Sequence, residues 1–179
     1  MVPERGENRD CATLRLFIAI NFTRKTKNGL VALQDTLRAR SKRGNFTLPE
    51  NLHVTLSFLG GCDPKQAAAA KAVTDSMQFE AFDISIERVG CFGRGRGNLW
   101  WAGVNEGEAL LDLHRRLTDR LACAGFEPEK RRYSPHVTLG QQVVTDAAPW
   151  PVEPFGETVR KIHLMRSERI NGKSAYTPI

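Results

Sequence analysis

The stretch Leu52-His53-Val54-Thr55-Leu56-Ser57-Phe58-Leu59-Gly60 governs the reading of the chain, because its word His-Val-Thr-Leu returns unchanged at His136-Val137-Thr138-Leu139. Some four-letter repeat arises by accident in about one chain in ten of this length, so the surroundings have to carry the argument. They match. Pro49 stands shortly before the first word and Pro135 directly before the second, each word opens an apolar, β-branched run, and Gly60 or Gly140 follows. Both copies read as strands. Side chains alternate along a strand, so His53, Thr55 and Ser57 are expected on one face and Val54, Leu56 and Phe58 on the inward one. His136 and Thr138 oppose Val137 and Leu139 in the same way. Each strand thus sets an imidazole beside a hydroxyl.

The 179 residues are enough for one sizeable core, and the net charge of +6 favours anionic partners such as RNA or phosphate. Cys11, Cys62, Cys91 and Cys123 stand singly, without the paired spacing of a structural zinc site or a disulfide framework. Neither a signal segment nor a run of about 18 apolar residues is present, which points to a cytoplasmic protein that does not enter a membrane.

Residues 1–13 are charged and aperiodic and are expected to form a flexible tail; residues 14–179 are expected to form one two-lobed domain. Arg15-Leu16-Phe17-Ile18-Ala19-Ile20 predicts the first strand. Leu30, Leu33 and Leu37 predict a helix from Thr23 to about Arg43, stopped by Gly44-Asn45, with basic residues at its carboxyl end where they suit the dipole. Pro64 opens a second helix reaching about Met77, and Leu110, Leu113, Leu117 and Leu121 stripe a third from Glu108 to about Ala124. Phe82 to Val89 alternates as a half-buried strand. Gly93-Arg94-Gly95-Arg96-Gly97 is read as a hairpin connection, with a cationic lip against a nucleic-acid backbone as the functional alternative. Trp100 and Trp101 sit on a strand and must point opposite ways. Pro149, Pro151 and Pro154 make Asp146 to Glu157 a connecting loop, and Val159–Met165 and Ala175–Ile179 are expected as closing strands. His114 and His163 are read as structural or exposed residues. The pattern is α+β: two mostly antiparallel sheets with helices on their outer faces, and a central groove carrying one His-x-Thr motif from each half of the chain.

Two facing histidines with hydroxyls suit in-line chemistry at phosphorus, which needs a base on one side of the phosphate and an acid on the other. An unperturbed imidazole pKa near 6.5 lets one ring be neutral while the other is charged, and threonine hydroxyls can donate to non-bridging oxygens. No metal or other cofactor is called for. The residues alone do not say which histidine is acid and which is base.

The paired words, Arg15-Leu16-Phe17-Ile18-Ala19-Ile20, Asn51 to Gly60 and Tyr133-Ser134-Pro135-His136-Val137-Thr138-Leu139 resemble the two-histidine phosphoesterases. Within them the match is to the RNA 2′,3′-cyclic phosphodiesterases, formerly called 2′-5′ RNA ligases. The likeness runs from about Leu14 to Ile179, with Leu164-Met165-Arg166-Ser167, Gly172 and Tyr176 fitting the last hairpin. It implies hydrolysis of a 2′,3′-cyclic phosphate to a 2′-phosphomonoester, with reverse 2′-5′ ligation as a companion activity. His53 would be the proton donor, His136 the proton acceptor, and Thr55 and Thr138 would hold phosphate oxygens. Phe17 and Gln141 are expected on the substrate side, with Arg131, Arg132 or the arginines of the glycine loop as the cations that can stand in for a basic residue of the family. The partner is RNA ending in a cyclic phosphate, or a small cyclic nucleotide, met by a monomer. Members of the family commonly carry a basic residue two places after the second motif's leucine, where this chain has Gln141. Two other readings compete: a non-catalytic RNA-binding module using the same groove, and a metal hydrolase with the histidines as ligands, which needs a third ligand that neither motif supplies.

Overall fold

The computed structural model describes residues 13–93 and 97–179. Residues 1–12 of the tail expected at 1–13, and residues 94–96 of the glycine loop with its two arginines, lie outside the described residues. Strand β1 (Leu14–Asn21) leads to helix α1 (Arg24–Ala39), strand β2 (Ser41–Phe46), a single 3-10 turn (Pro49–Asn51) and strand β3 (His53–Cys62). Helix α2 (Pro64–Ser76), β4 (Phe82–Phe92), β5 (Asn98–Val104), α3 (Glu108–Cys123), β6 (His136–Thr145), β7 (Trp150–Val159), β8 (His163–Ile170) and β9 (Lys173–Pro178) follow. The strands form two antiparallel sheets, ordered β3-β1-β8-β9 and β2-β6-β5-β4-β7. The α+β expectation therefore holds, but the sheets do not divide the chain into halves. Strands from both ends build the four-stranded sheet, and β2 crosses over to the five-stranded one.

Two elements differ from expectation for one physical reason. Helix α1 ends at Ala39, where the Ser41 hydroxyl donates to the Leu37 carbonyl, and residues 41–46 then pair with β6 as an edge strand. Lys42, Arg43, Gly44 and Asn45 carry little strand preference of their own; the ladder with β6 supplies it, and charges on an edge discourage further pairing. The proline-rich segment is likewise the opposite edge strand, β7, paired only with β4. Proline is tolerated there because no neighbour requires its missing N–H. Val159 closes β7 rather than opening the next strand, and the β8–β9 hairpin turns on Asn171 (φ 50°) and Gly172 (φ 77°), both left-handed as a tight hairpin demands.

The helices lie on the faces away from the histidines. Leu30 and Leu37 of α1, Ala70 of α2 and the Leu110, Leu113, Leu117 and Leu121 stripe of α3 join one core with Leu16, Ile18, Ile20, Val54, Leu56, Val137 and Leu139. Asp63 and Gln66 close a capping box at the start of α2. The opposite side of β1 is also covered, since Phe17, Ala19 and Met165 make a second small cluster with Tyr176.

Phe58 is not on the inward face. The β1–β3 register slips so that Ile18 faces Ser57 while Ala19 faces Thr55, and Phe17 faces Phe58. This bulge turns Phe58 to the side of His53 and leaves it 68% exposed.

Candidate active site

His53 is the first residue of β3, held opposite Asn21 of β1 with Thr55 opposite Ala19. Its Nδ1 lies 2.6 Å from the Asn51 carbonyl and its Nε2 lies 3.0 Å from the Thr55 hydroxyl. A carbonyl only accepts, so Nδ1 carries the hydrogen and Nε2 is the nitrogen left for chemistry. The turn before it is anchored from two sides: Asn51 Nδ2 donates to the Ser174 carbonyl of β9 at 2.7 Å, and Lys27 Nζ of α1 donates to the Glu50 carbonyl at 2.8 Å. Phe17 lies 4.9 Å from the imidazole and Tyr176 meets it edge-on at 5.3 Å. Burial among these rings lowers the His53 pKa, the Asn51 hydrogen bond opposes that, and the charges of Lys27 and His136 lower it further.

His136 opens β6 in the same way, its Nδ1 2.8 Å from the Ser134 carbonyl. Across β5, Gly103 faces His136 and Trp101 faces Thr138. Trp100 points into the core, 1% exposed, while Trp101 lies on the histidine side, 6.4 Å from His136, with Phe92 tilted against it at 5.2 Å. Gly90 faces Trp101 on β4, and only the absence of its Cβ leaves room for the indole to lie flat on the sheet.

The two motifs are tied directly. Tyr133 Oη, in the approach to β6, donates to the Thr55 carbonyl of β3 at 3.2 Å, and its ring stacks on His114 of α3 at 3.8 Å. Burial raises the Tyr133 pKa, which keeps the phenol a donor, and burial lowers that of His114. His114 thus serves as the platform for the tyrosine. His163 opens β8 opposite Ala19, on the side of His53, with its pKa lowered by burial and by Lys161.

The residues expected on the substrate side are placed unevenly. Phe17 is against His53. Arg131 and Arg132 are 87% and 85% exposed in their side chains and are engaged by Glu129 and Glu106 at 2.6 and 2.9 Å. Gln141 is exposed on β6 opposite Asn45 of the edge strand. Tyr133 and Tyr176, which entered the sequence reading only through the resemblance, and Trp101, whose direction it left open, belong to the site surroundings; Phe92 joins them through its contact with Trp101, which no local pattern announces. Among the described residues no group of three or more His, Cys, Asp or Glu is arranged to hold a metal ion. No helix among them is long and apolar enough to cross a membrane.

Two imidazoles whose Nδ1 atoms are pinned by backbone carbonyls, each with a threonine two residues on, provide one proton donor, one acceptor and two hydroxyl donors. A family model for the 2′-5′ RNA ligase superfamily matches residues 29–171. The RNA 2′,3′-cyclic phosphodiesterase of Methanothermobacter thermautotrophicus is 35% identical over 131 residues, 72% of this chain and 71% of that protein. Its counterpart from Archaeoglobus fulgidus is 30% identical over 162 residues, 86% of this chain and 91% of that one. Escherichia coli LigT, crystallised with 3′-AMP, shares the fold with a TM-score of 0.79 at 22% identity, over 93% of this chain and 95% of that one.

Proposed function

The chain belongs to the 2′-5′ RNA ligase superfamily, and from that premise we infer that it is an RNA 2′,3′-cyclic phosphodiesterase, opening cyclic phosphate ends to 2′-phosphomonoesters. The observation that carries the chemistry is the pairing of His53 and His136, each with Nδ1 committed to a backbone carbonyl, which leaves Nε2 as the nitrogen that exchanges a proton. His136 takes a proton from water as its oxygen bonds to phosphorus, the P–O3′ bond breaks, and His53 delivers its proton to the departing 3′ oxygen. Thr55 and Thr138 donate hydrogen bonds to the non-bridging oxygens, and no step calls on a metal. With an RNA 5′-hydroxyl in place of water, the same attack forms a 2′-5′ linkage.

His53 must be charged to act as acid, yet burial and nearby cations lower its proton affinity. An anionic phosphate arriving between the rings offsets the repulsion from Lys27 and His136 and restores the proton, so substrate itself prepares the acid. Phe17, Phe58 and Tyr176 on one side and Trp101 and Phe92 on the other offer ring faces to ribose and base. Because the site takes one histidine from each sheet, residues 14–179 work as one two-lobed domain, acting as a monomer. The net charge of +6 suits RNA, and the free thiols Cys62, Cys91 and Cys123 suit a cytoplasmic setting.

The test is incubation of RNA ending in a 2′,3′-cyclic phosphate, with and without chelator, followed by identification of the product. A 2′-phosphate formed equally in chelator is expected. A 3′-phosphate would refute the donor assignment to His53, activity lost in chelator would return the metal reading, and binding without turnover would leave an RNA-binding module.

A further inference from the structure

Arg131 and Arg132, expected on the substrate side, are largely exposed and paired with Glu129 and Glu106. The sheet pairing points elsewhere. Arg88 of β4 faces Gly103 of β5, and Gly103 faces His136 of β6, so the three stand in one row across the five-stranded sheet. Cross-strand partners share a face, which puts Arg88 on the side of His136, Thr138 and Trp101. The slip at Glu87 in the β4–β5 register sets this row, with Val89 facing Ala102 in the core and Gly90 facing Trp101 on the groove side.

The middle member of the row is a glycine, and that is what lets the arginine lie across it. A Cβ at Gly103 would meet Arg88 Cγ at 2.9 Å and Nε at 3.0 Å, so the arginine lies over the middle of the row, in the space a side chain would take. Strands are about 4.8 Å apart, so Arg88 and His136 are separated by roughly 10 Å between their Cα atoms, much of which an arginine side chain spans. Its Cζ lies 5.7 Å from the Trp101 ring, a cation–π contact on the same indole that flanks His136. Among the described residues Arg88 has no carboxylate partner; the nearby Glu87 is bonded by Asn105 and Glu106 by Arg132.

We propose that Arg88 is the phosphate-binding cation of this site, its guanidinium reaching over Gly103 to a non-bridging oxygen of the phosphate held beside His136. The proposal rests on the phosphodiesterase reading for its substrate and deepens it. Guanidinium suits the task because its planar fork can hold two oxygens at once and stays charged across the working pH range.

Two measurements test it, one independent of turnover. Affinity for inorganic phosphate, followed by calorimetry at low salt, should fall roughly tenfold in Arg88→Gln, the size of one lost charge-assisted bond, and Arg88→Lys should recover part of it. With RNA 2′,3′-cyclic phosphate, Arg88→Gln should raise KM by a similar factor with a smaller change in kcat, and the effect should shrink as salt rises. Gly103→Ala, which keeps the charge but takes the space that the arginine crosses, should weaken phosphate binding in the same direction. Unchanged phosphate affinity in Arg88→Gln overturns the proposal, whether or not the melting temperature drops, because a residue that only covers Trp101 would change stability alone. Phosphate binding that depends on Arg88 in a protein that hydrolyses no cyclic phosphate would sustain this inference and refute the phosphodiesterase reading.

Discussion

Tyr133→Phe isolates a side-chain bond that links the approach to His136 with the strand of His53. The substitution keeps the ring, and with it the 3.8 Å stack on His114, and deletes only the hydroxyl that donates to the Thr55 carbonyl at 3.2 Å. A neutral hydrogen bond contributes about 0.5–1.5 kcal/mol net, and the length of this one puts it toward the lower half. For a domain of this size, a loss of about 1 kcal/mol moves the melting temperature by roughly 2–4 °C. The consequence for activity follows from what the bond positions. Thr55 sits two residues from His53 and its hydroxyl touches Nε2, so releasing its carbonyl loosens the geometry between the two motifs without removing a reacting group. The expected result is a kcat lowered a few-fold with KM almost unchanged, measured by steady-state hydrolysis of an RNA cyclic phosphate beside a thermal melt. Tyr133→Phe with wild-type melting and wild-type kcat would show that this bond does not hold the motifs together. A loss of a hundredfold or more would also refute the reasoning, since the hydroxyl would then be taking part in the chemistry.

His53→Ala and His136→Ala should each reduce turnover by roughly 10²- to 10⁴-fold, because each removes one proton-transfer partner, and full activity in either would end the acid–base assignment. The wild-type rate should follow a bell in pH, as one ring must be charged while the other is neutral; a flat profile from pH 5 to 9 contradicts it. Stability should also depend on pH through His53. Its folded pKa is lowered, so the unfolded chain binds a proton that the folded protein resists. The stabilisation is complete above the unfolded value of about 6.5 and is lost as pH falls from there through the folded value, with His114 and His163 adding in the same direction. The urea midpoint should therefore drop between pH 7.5 and 5.5, and less steeply in His53→Asn; an equally steep drop in the variant removes His53 from the account. Gly90→Ala should cost about 1–3 kcal/mol and lower kcat/KM, because its Cβ enters the space of the Trp101 ring beside His136. An unaltered melting temperature would mean the indole has somewhere else to go.

Much of this protein is local in origin and so is carried by the sequence itself. The leucine stripe of α3 at 110, 113, 117 and 121 needs only helical period to be seen, and all four residues are buried. The two His-Val-Thr-Leu words need only strand alternation, which sets each imidazole beside its hydroxyl and each valine and leucine toward the core. What the tertiary structure decided is non-local. Residues 41–46 and the proline-rich segment became edge strands because β6 and β4 offered partners that no property of those segments announces. Phe58 changed faces because one bulge against β1 breaks the period of two on which the expectation rested. Trp100 and Trp101 were bound to point apart, but which entered the core depended on Gly90 leaving space for Trp101 on the other side. Arg88, distant in sequence from both motifs, joined His136 only through two successive strand pairings across a glycine. Periodicity along a chain states which side chains share a face; register between chain segments states which of them meet, and that is determined only when the sheet has formed.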